Sequence, residues 1–199
     1  MTANGRVITG YSMPRVALYS AEGNTVTYTS VQPLARGVDV SIEPETADSN
    51  DFYADNVLAE TASGQFSGGT LTMNVDGLKD AARKLIMGLP TPTEVTVGSE
   101  TVEVYDYDNR QVIPYVGVGF VVRYMEDGVT SYMPVVLPKV QFAVEGLEAA
   151  TQEDEIDWQT QELTASIMRD DTTEQKWRRV AAAQTTEAKA VAVIEALLA

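Results

Sequence analysis

The sequence predicts a mainly β protein, an antiparallel β-sandwich or barrel with a flanking α-helix over about residues 77–88 and a C-terminal helix over about 186–198. Three observations lead there. Apolar and polar residues alternate with a period of two in several separate stretches, turn-forming dipeptides fall between those stretches, and helical spacing is confined to two places. No composition shift or linker calls for a boundary, so the 199 residues are expected to form one domain.

From Arg36, "RGVDVSIEPE" sets Val38, Val40 and Ile42 on one face and Asp39, Ser41 and Glu43 on the other, the pattern of a half-buried strand. Residues 70–75, "TLTMNV", repeat it with Leu71, Met73 and Val75 facing in. Between them lies "DFYADNVLAE", 51–60, which matches neither a strand nor a helix pattern and sets Phe52 and Tyr53 among Asp51, Asp55 and Glu60. After Asp76 the spacing changes to three and four at Leu78, Ala82, Leu85 and Leu89, an amphipathic helix with Asp76 as its N-cap and Gly88 as a left-handed C-cap. "LPTPTE" stops that helix, and "EVTVGSETVEVYDYD" then reads as a hairpin turning near Gly98 and Ser99.

The strongest hairpin signal is Asp127-Gly128 between two apolar runs. Taken as a two-residue turn, it places Val122 opposite Met133, Phe120 opposite Val135 and Val118 opposite Leu137. Gly117 and Gly119 leave room for a close approach on the other face. Pro134 and Pro138 withdraw amide donors from one side of their strand, so that side is expected to be an edge or an interrupted ladder. "EIDWQTQELTASIM", 155–168, reads as a long strand whose apolar face switches from Ile156 and Trp158 to Leu163, Ala165 and Ile167; a change of packing environment explains this better than a bulge near Gln161. The chain then reads as a strand, "KWRRVA", and a helix capped by Thr185 or Thr186 with Val191, Ile194 and Leu198 on one face.

The chain contains no His and no Cys, which removes disulfides, imidazole bases and the usual zinc, iron–sulfur and Ser-His or Cys-His chemistries. A formal net charge of -15 repels a phosphate backbone, so tight nucleic-acid binding is not expected. The acids are clustered: Asp39, Glu43, Glu45, Asp48, Asp51, Asp55, Glu60 and Asp76 lie between Arg36 and Lys79 without a base, and a second block runs from Glu145 to Glu162. The N-terminal "MTANGRVITG" has no basic n-region or apolar h-region, and no apolar run approaches the roughly 18 residues of a membrane span. Synthesis in the cytoplasm and no membrane segment are the expectations.

"DYDNRQ" opens like a calcium loop at Asp106 and Asp108, but the required Gly and the closing Glu are missing. "GVGFVV" lies within a strand and lacks the third Gly of a dinucleotide fingerprint, and no phosphate-cradling loop is present. Carboxylate pairs of the glycosidase kind occur by chance among 29 acids. No catalytic role, metal or cofactor is therefore expected. Trp158 and Trp177, each in an alternating stretch, are expected in the core.

Four segments in order, "FYADNVLAE", "YVGVGFVVRY", "YMPVVLPKVQF" and "EDEIDWQTQELTASI", together with the ending "WRRVAAAQTTEAKAVAVIEALLA", resemble the major tail proteins, or tail tube proteins, of long-tailed bacteriophages of the phi13 family. The resemblance runs from about residue 6 to the C-terminus. It implies a single tail tube domain over 1–199, a β-sandwich with a flanking helix, an assembly loop at about 43–57 and a C-terminal strand–helix extension at about 170–199. It further implies homohexameric rings stacked into a hollow tube that passes DNA without binding it tightly. The partners would be copies of the chain itself, a tape-measure protein and tail tip and terminator proteins. The location would be the phage tail in the virion, reached from the host cytoplasm, with no catalytic residues.

On that resemblance, Glu45, Asp48, Asp51, Phe52, Tyr53, Asp55 and Asn56 are candidate subunit-interface residues, with the aromatic pair buried only on assembly. Asp39, Ser41, Glu43, Asp157, Gln159 and Gln161 are candidates for the wall of the lumen, where like charge would let a genome slide. The competing expectations are the tube protein of a contractile tail or injection system, a monomeric β-sandwich binding or decoration module with a concave aromatic site, and a glycosidase-like enzyme.

Overall fold

The computed structural model describes residues 5–109, 111–151 and 158–199. In chain order its strands are β1 (Val7–Glu22), β2 (Thr25–Pro33), β3 (Gly37–Thr46), β4 (Asn50–Ala54), β5 (Val57–Ala62), β6 (Phe66–Val75), β7 (Thr93–Val97), β8 (Glu100–Val104), β9 (Val116–Glu126), β10 (Val129–Phe142), β11 (Gln161–Met168) and β12 (Arg179–Val180). The helices are α1 (Asp80–Met87) and α2 (Glu187–Leu197). The protein is mainly β and sandwich-like, as the alternation predicts.

Eight strands form one antiparallel sheet in the order β2-β1-β9-β10-β11-β6-β3, with β12 added to β10; β4-β5 and β7-β8 are separate hairpins. The register of β9 and β10 is the one that Asp127-Gly128 dictates, with Met133 opposite Val122, Val135 opposite Phe120 and Leu137 opposite Val118. The β7-β8 turn falls at Gly98 and Ser99, as expected, with Val97 opposite Glu100.

The sheet curls so that β1 approaches β3, and the Tyr11 ring occupies the space that a Cβ on Gly37 would need. Between the two layers Val16, Val118, Phe120 and Leu137 meet Leu71, Met73, Leu163 and Ile167, with Ile86 and Met87 of α1 closing one end. The outer face of the β1-β9-β10 layer is covered too. There Ala17, Val121 and Val136 pack against Ala190, Ile194 and Leu198. Any Cβ on Gly117 or Gly119 would collide with Leu198 or Ile194, so the two glycines are the seat of α2. Full burial of Ile194 and Leu198 contributes about 1.5–3 kcal/mol each, before the entropy of ordering the helix.

Two strands precede the first that the alternation marks. β1 is difficult to read because its register against β9 shifts between Ser12 and Arg15, where Met13 adopts a φ of 52°. That shift moves the inward positions from Tyr11 to Val16, so the period of two breaks within one strand.

Other expectations change in detail. α1 begins at Asp80, not near 77, and its N-cap position is Lys79 with no side-chain bond. Asp76 instead accepts from the Arg36 backbone N–H at 2.8 Å and from its guanidinium, tying the start of β3 to the end of β6. Gly88 does end the helix in the left-handed conformation, and Thr186 caps α2 by accepting from the Lys189 N–H. The side of β10 that carries its prolines is an interrupted ladder: β11 covers Lys139–Phe142, while β12 pairs only with Val135 and Val136. The predicted strand "KWRRVA" shrinks to that two-residue β12.

β11 starts only at Gln161, and Ile156 lies outside the described residues. Trp177 stacks on Phe66 with ring centroids 4.3 Å apart and packs on the core, as expected. Trp158 does not: it precedes β11 and is 83% exposed.

Candidate assembly interface

The segment expected as a loop at 43–57 is part of a two-stranded arm. β3 and β6 pair from Gly37 opposite Val75 to Thr46 opposite Phe66, and the Ala47 N–H continues the ladder to Gln65 O at 2.8 Å. β4 and β5 then pair from Asn50 opposite Ala62 to Ala54 opposite Val57. Asp55 and Asn56 close the tip with φ of 51° and 62°, the left-handed conformation that these two residue types tolerate best. The arm escapes sequence reading for two physical reasons. A register shift between Phe52 and Tyr53 breaks the alternation, and neither face packs on a core that would demand one.

Every residue of β4 and β5 is exposed. Phe52 is 63% and Tyr53 61% exposed, and Val57 and Leu58 across the hairpin are also open to solvent. Glu45 at the end of β3, Asp48 in the connection and Asp51 on β4 are exposed as well, and the sequence holds no Lys or Arg between Arg36 and Lys79. A two-stranded hairpin without a packed face is marginal in water, and an exposed apolar tip is a surface in want of a partner.

The second candidate surface is the polar face of β3, β6 and β11. Asp39, Ser41 and Glu43 lie opposite Asn74, Thr72 and Thr70, which in turn lie opposite Glu162, Thr164 and Ser166. Acids, hydroxyls and one amide make up this face, with no base among them, and Asn74 Nδ2 donates to Asp39 at 2.9 Å. Of the other residues proposed for a lumen wall, Asp157 lies outside the described residues and Gln159 is exposed ahead of β11. Gln161 is on the opposite face, that of Leu163. Its amide donates to Glu145 at 2.7 Å and its carbonyl oxygen accepts from the Leu78 N–H at 3.2 Å, so Glu162 takes its place on the polar face. β3 ends the sheet, and its free edge is interrupted by the register shift at Val38 and by Pro44.

Glu145, which opens the second acidic block of the sequence, is used internally. It accepts from Arg83 Nε at 2.9 Å, from Gln161 and from the Tyr107 hydroxyl, linking α1 and β11 to the segment after β8. Burial, and then that carboxylate, push the Tyr107 phenol up to about 12.

A third feature appears only in three dimensions. Where β1, β9 and β10 face β3, the layers leave an open cleft of about 550 Å³. Ile8, Tyr11, Val38, Phe120, Met133 and Val180 line it, with Arg178 and Asp39 also contributing. The Tyr11 hydroxyl is buried and finds no hydrogen-bond partner among the described residues. Burial raises its pKa above the usual tyrosine value, and the Asp39 charge adds to that.

Among the described residues no group of His, Cys, Asp or Glu is placed to hold a metal ion, and no helix is long and apolar enough to cross a membrane. Comparison with protein-family models finds none that matches this chain, and comparison with curated proteins finds no match.

Proposed function

We propose that this chain is a structural subunit that polymerises into a hollow tube, the tail tube of a long-tailed bacteriophage, in stacked rings of six copies. The observation that carries the reading is the β4-β5 tip, which holds Phe52 and Tyr53 in solvent on an arm with no packed face. A monomer gains nothing from such a tip. A polymer does, because the aromatic side chains supply contact area at small entropic cost when a neighbour covers them. The ordered sequence resemblance to tail tube proteins gives the polymer its form.

In this reading the base-free face of β3, β6 and β11 lines the lumen, where its acids and hydroxyls pass DNA without holding it. The partners are other copies of the chain, a tape-measure protein and tip and terminator proteins. No residue has a catalytic role, and no cofactor or metal takes part.

The test is negative-stain electron microscopy of the purified protein, concentrated at moderate salt. Hollow tubes or stacked rings of constant diameter are expected. Phe52→Ala with Tyr53→Ala leaves the monomer's melting temperature within about 2 °C, because surface substitutions change stability by under about 0.5 kcal/mol, and abolishes the tubes. Tubes of normal length from the double variant would remove the arm from the assembly contact. A second reading, a monomeric binding module, draws on the cleft and the Tyr11 and Phe120 side chains that line it. It predicts dispersed monomers that bind a ligand there.

A further inference from the structure

We infer that the β7-β8 hairpin docks an extended segment of a different protein, one in which apolar residues alternate with Lys or Arg and which adds to an open edge of the hairpin as a third strand. The inference stands apart from the tube reading, because it draws on none of the surfaces assigned there to self-assembly or to the lumen.

The hairpin has the pattern of a half-buried strand pair without the burial. Thr93 lies opposite Val104, Val95 opposite Val102 and Val97 opposite Glu100 on one face; Glu94 lies opposite Glu103 and Thr96 opposite Thr101 on the other. Such alternation is imposed where one face of a sheet is covered. Yet every residue of both strands is exposed, the four valines included. The β4-β5 tip, equally exposed, has a register shift in place of that alternation. Among the described residues β7 and β8 pair only with each other, so each keeps one open edge. Two strands alone are marginal in water, and a third strand with an apolar face brings the sheet to the size that holds.

Charge decides the occupant. Glu94 and Glu103 lie directly opposite each other, a like-charge pair that costs the hairpin stability, and Glu100 shares the valine face. Between Lys84 and Arg110 the sequence holds Glu94, Glu100, Glu103, Asp106 and Asp108 and no base. On an added strand, a Lys or Arg beside one of these glutamates relieves the pair, while the apolar residues that alternate with it extend the valine face and the main chain bonds to the open edge. Another copy of this chain does not fit. It carries a net charge of -15, and no strand of the described residues has more than one base: Arg15 in β1, Arg123 in β9, Lys139 in β10 and Arg179 in β12. The glutamates thus turn away an acidic edge and admit a basic one.

The probe is a short fluorescein-labelled peptide in which lysine and valine alternate, set against a peptide of the same composition in which they come in pairs. Fluorescence anisotropy is read on the full chain at about 0.15 M salt, where the screening length is about 8 Å and the net charge acts only at short range. The alternating peptide is expected to bind at least about tenfold more tightly than the paired one, because only alternation sets every lysine on the glutamate face and every valine on the other. Glu94→Lys with Glu103→Lys should weaken it about tenfold or more. Val95→Thr with Val102→Thr keeps β-branched side chains in the hairpin, so it preserves the strands while removing the apolar match, and should weaken binding about threefold or more. Equal binding of the two peptides, or wild-type affinity in either double variant, would overturn the inference and reduce the attraction to the net charge of the chain. The result is read equally well on protein that never polymerises, so it stands or falls separately from the tube.

Discussion

Two tyrosines with similar burial have opposite prospects on removal of their hydroxyls. Tyr28 donates to the Pro138 carbonyl at 3.0 Å, and burial pushes its phenol up to about 12. Tyr28→Phe orphans that carbonyl and is expected to cost the monomer about 0.5–1.5 kcal/mol in urea unfolding. Tyr11 has no partner to lose among the described residues, so Tyr11→Phe leaves the monomer equally stable or more so. A Tyr11→Phe monomer less stable than Tyr28→Phe would contradict the unpaired state.

Asp171 accepts from Lys139 Nζ at 2.7 Å, and that ammonium lies over the rings of Tyr19 and Tyr115. The Lys139 bond first, and the Tyr19 hydroxyl second, hold the carboxyl below its usual 3.8. A depressed carboxyl contributes stability above its unfolded pKa and loses it as pH falls through the folded value. The melting temperature is therefore expected to hold from neutrality to about pH 4 and fall below it. Asp171→Asn should lower the unfolding free energy slightly at pH 7, by less than about 1 kcal/mol because the pair is partly exposed and screened, and make the acid fall shallower.

Among the elements, α2 and the arm are held in contrasting ways. α2 is anchored by Ile194 and Leu198 over the strand glycines, by Arg15 Nε to Glu195 at 3.1 Å and by a Ser12–Glu187 hydrogen bond. Gly119→Ala puts a methyl into Ile194 and within 3.3 Å of Val136. Such overpacking costs about 1–3 kcal/mol. Calorimetry should show that loss, and limited proteolysis should cut first after residue 184, where α2 lifts from the sheet. The arm has no comparable anchor and keeps its shape only through its own ladder and the left-handed turn at Asp55 and Asn56.

At the scale of the whole molecule, the charge of -15 opposes any polymer and the exposed aromatic tip favours one. Salt separates the two. The screening length shortens from about 30 Å at 0.01 M to about 8 Å at 0.15 M, which weakens repulsion between copies and leaves apolar contact intact. Light scattering is expected to show a critical concentration that falls over that range. A critical concentration that rises with salt would mean that ion pairs between copies outweigh the aromatic contact.

Much of the sheet was legible in the residues because its causes are local. Asp127-Gly128 sets the register of β9 and β10, alternation sets the inward faces of β6 and of β3 from Val40 onward, though Val38, at the register shift, is exposed, and Thr186 and Gly88 bound helices where their backbone chemistry predicts. The candidate surfaces were legible only in part. Phe52 and Tyr53 stood out as aromatic residues among acids, but the hairpin that presents them lacks the alternation that burial imposes. Asp76 prefers Arg36, forty positions upstream, to a helix it could have capped, and Gln161 turns inward because Glu145 and the Leu78 amide await it there. The cleft exists because the sheet curls until Tyr11 lies against Gly37. Strand period, turn chemistry and capping are written in neighbouring residues, whereas curl, long-range carboxylate partners and the gap between layers depend on which distant surfaces meet, and only the folded chain decides that.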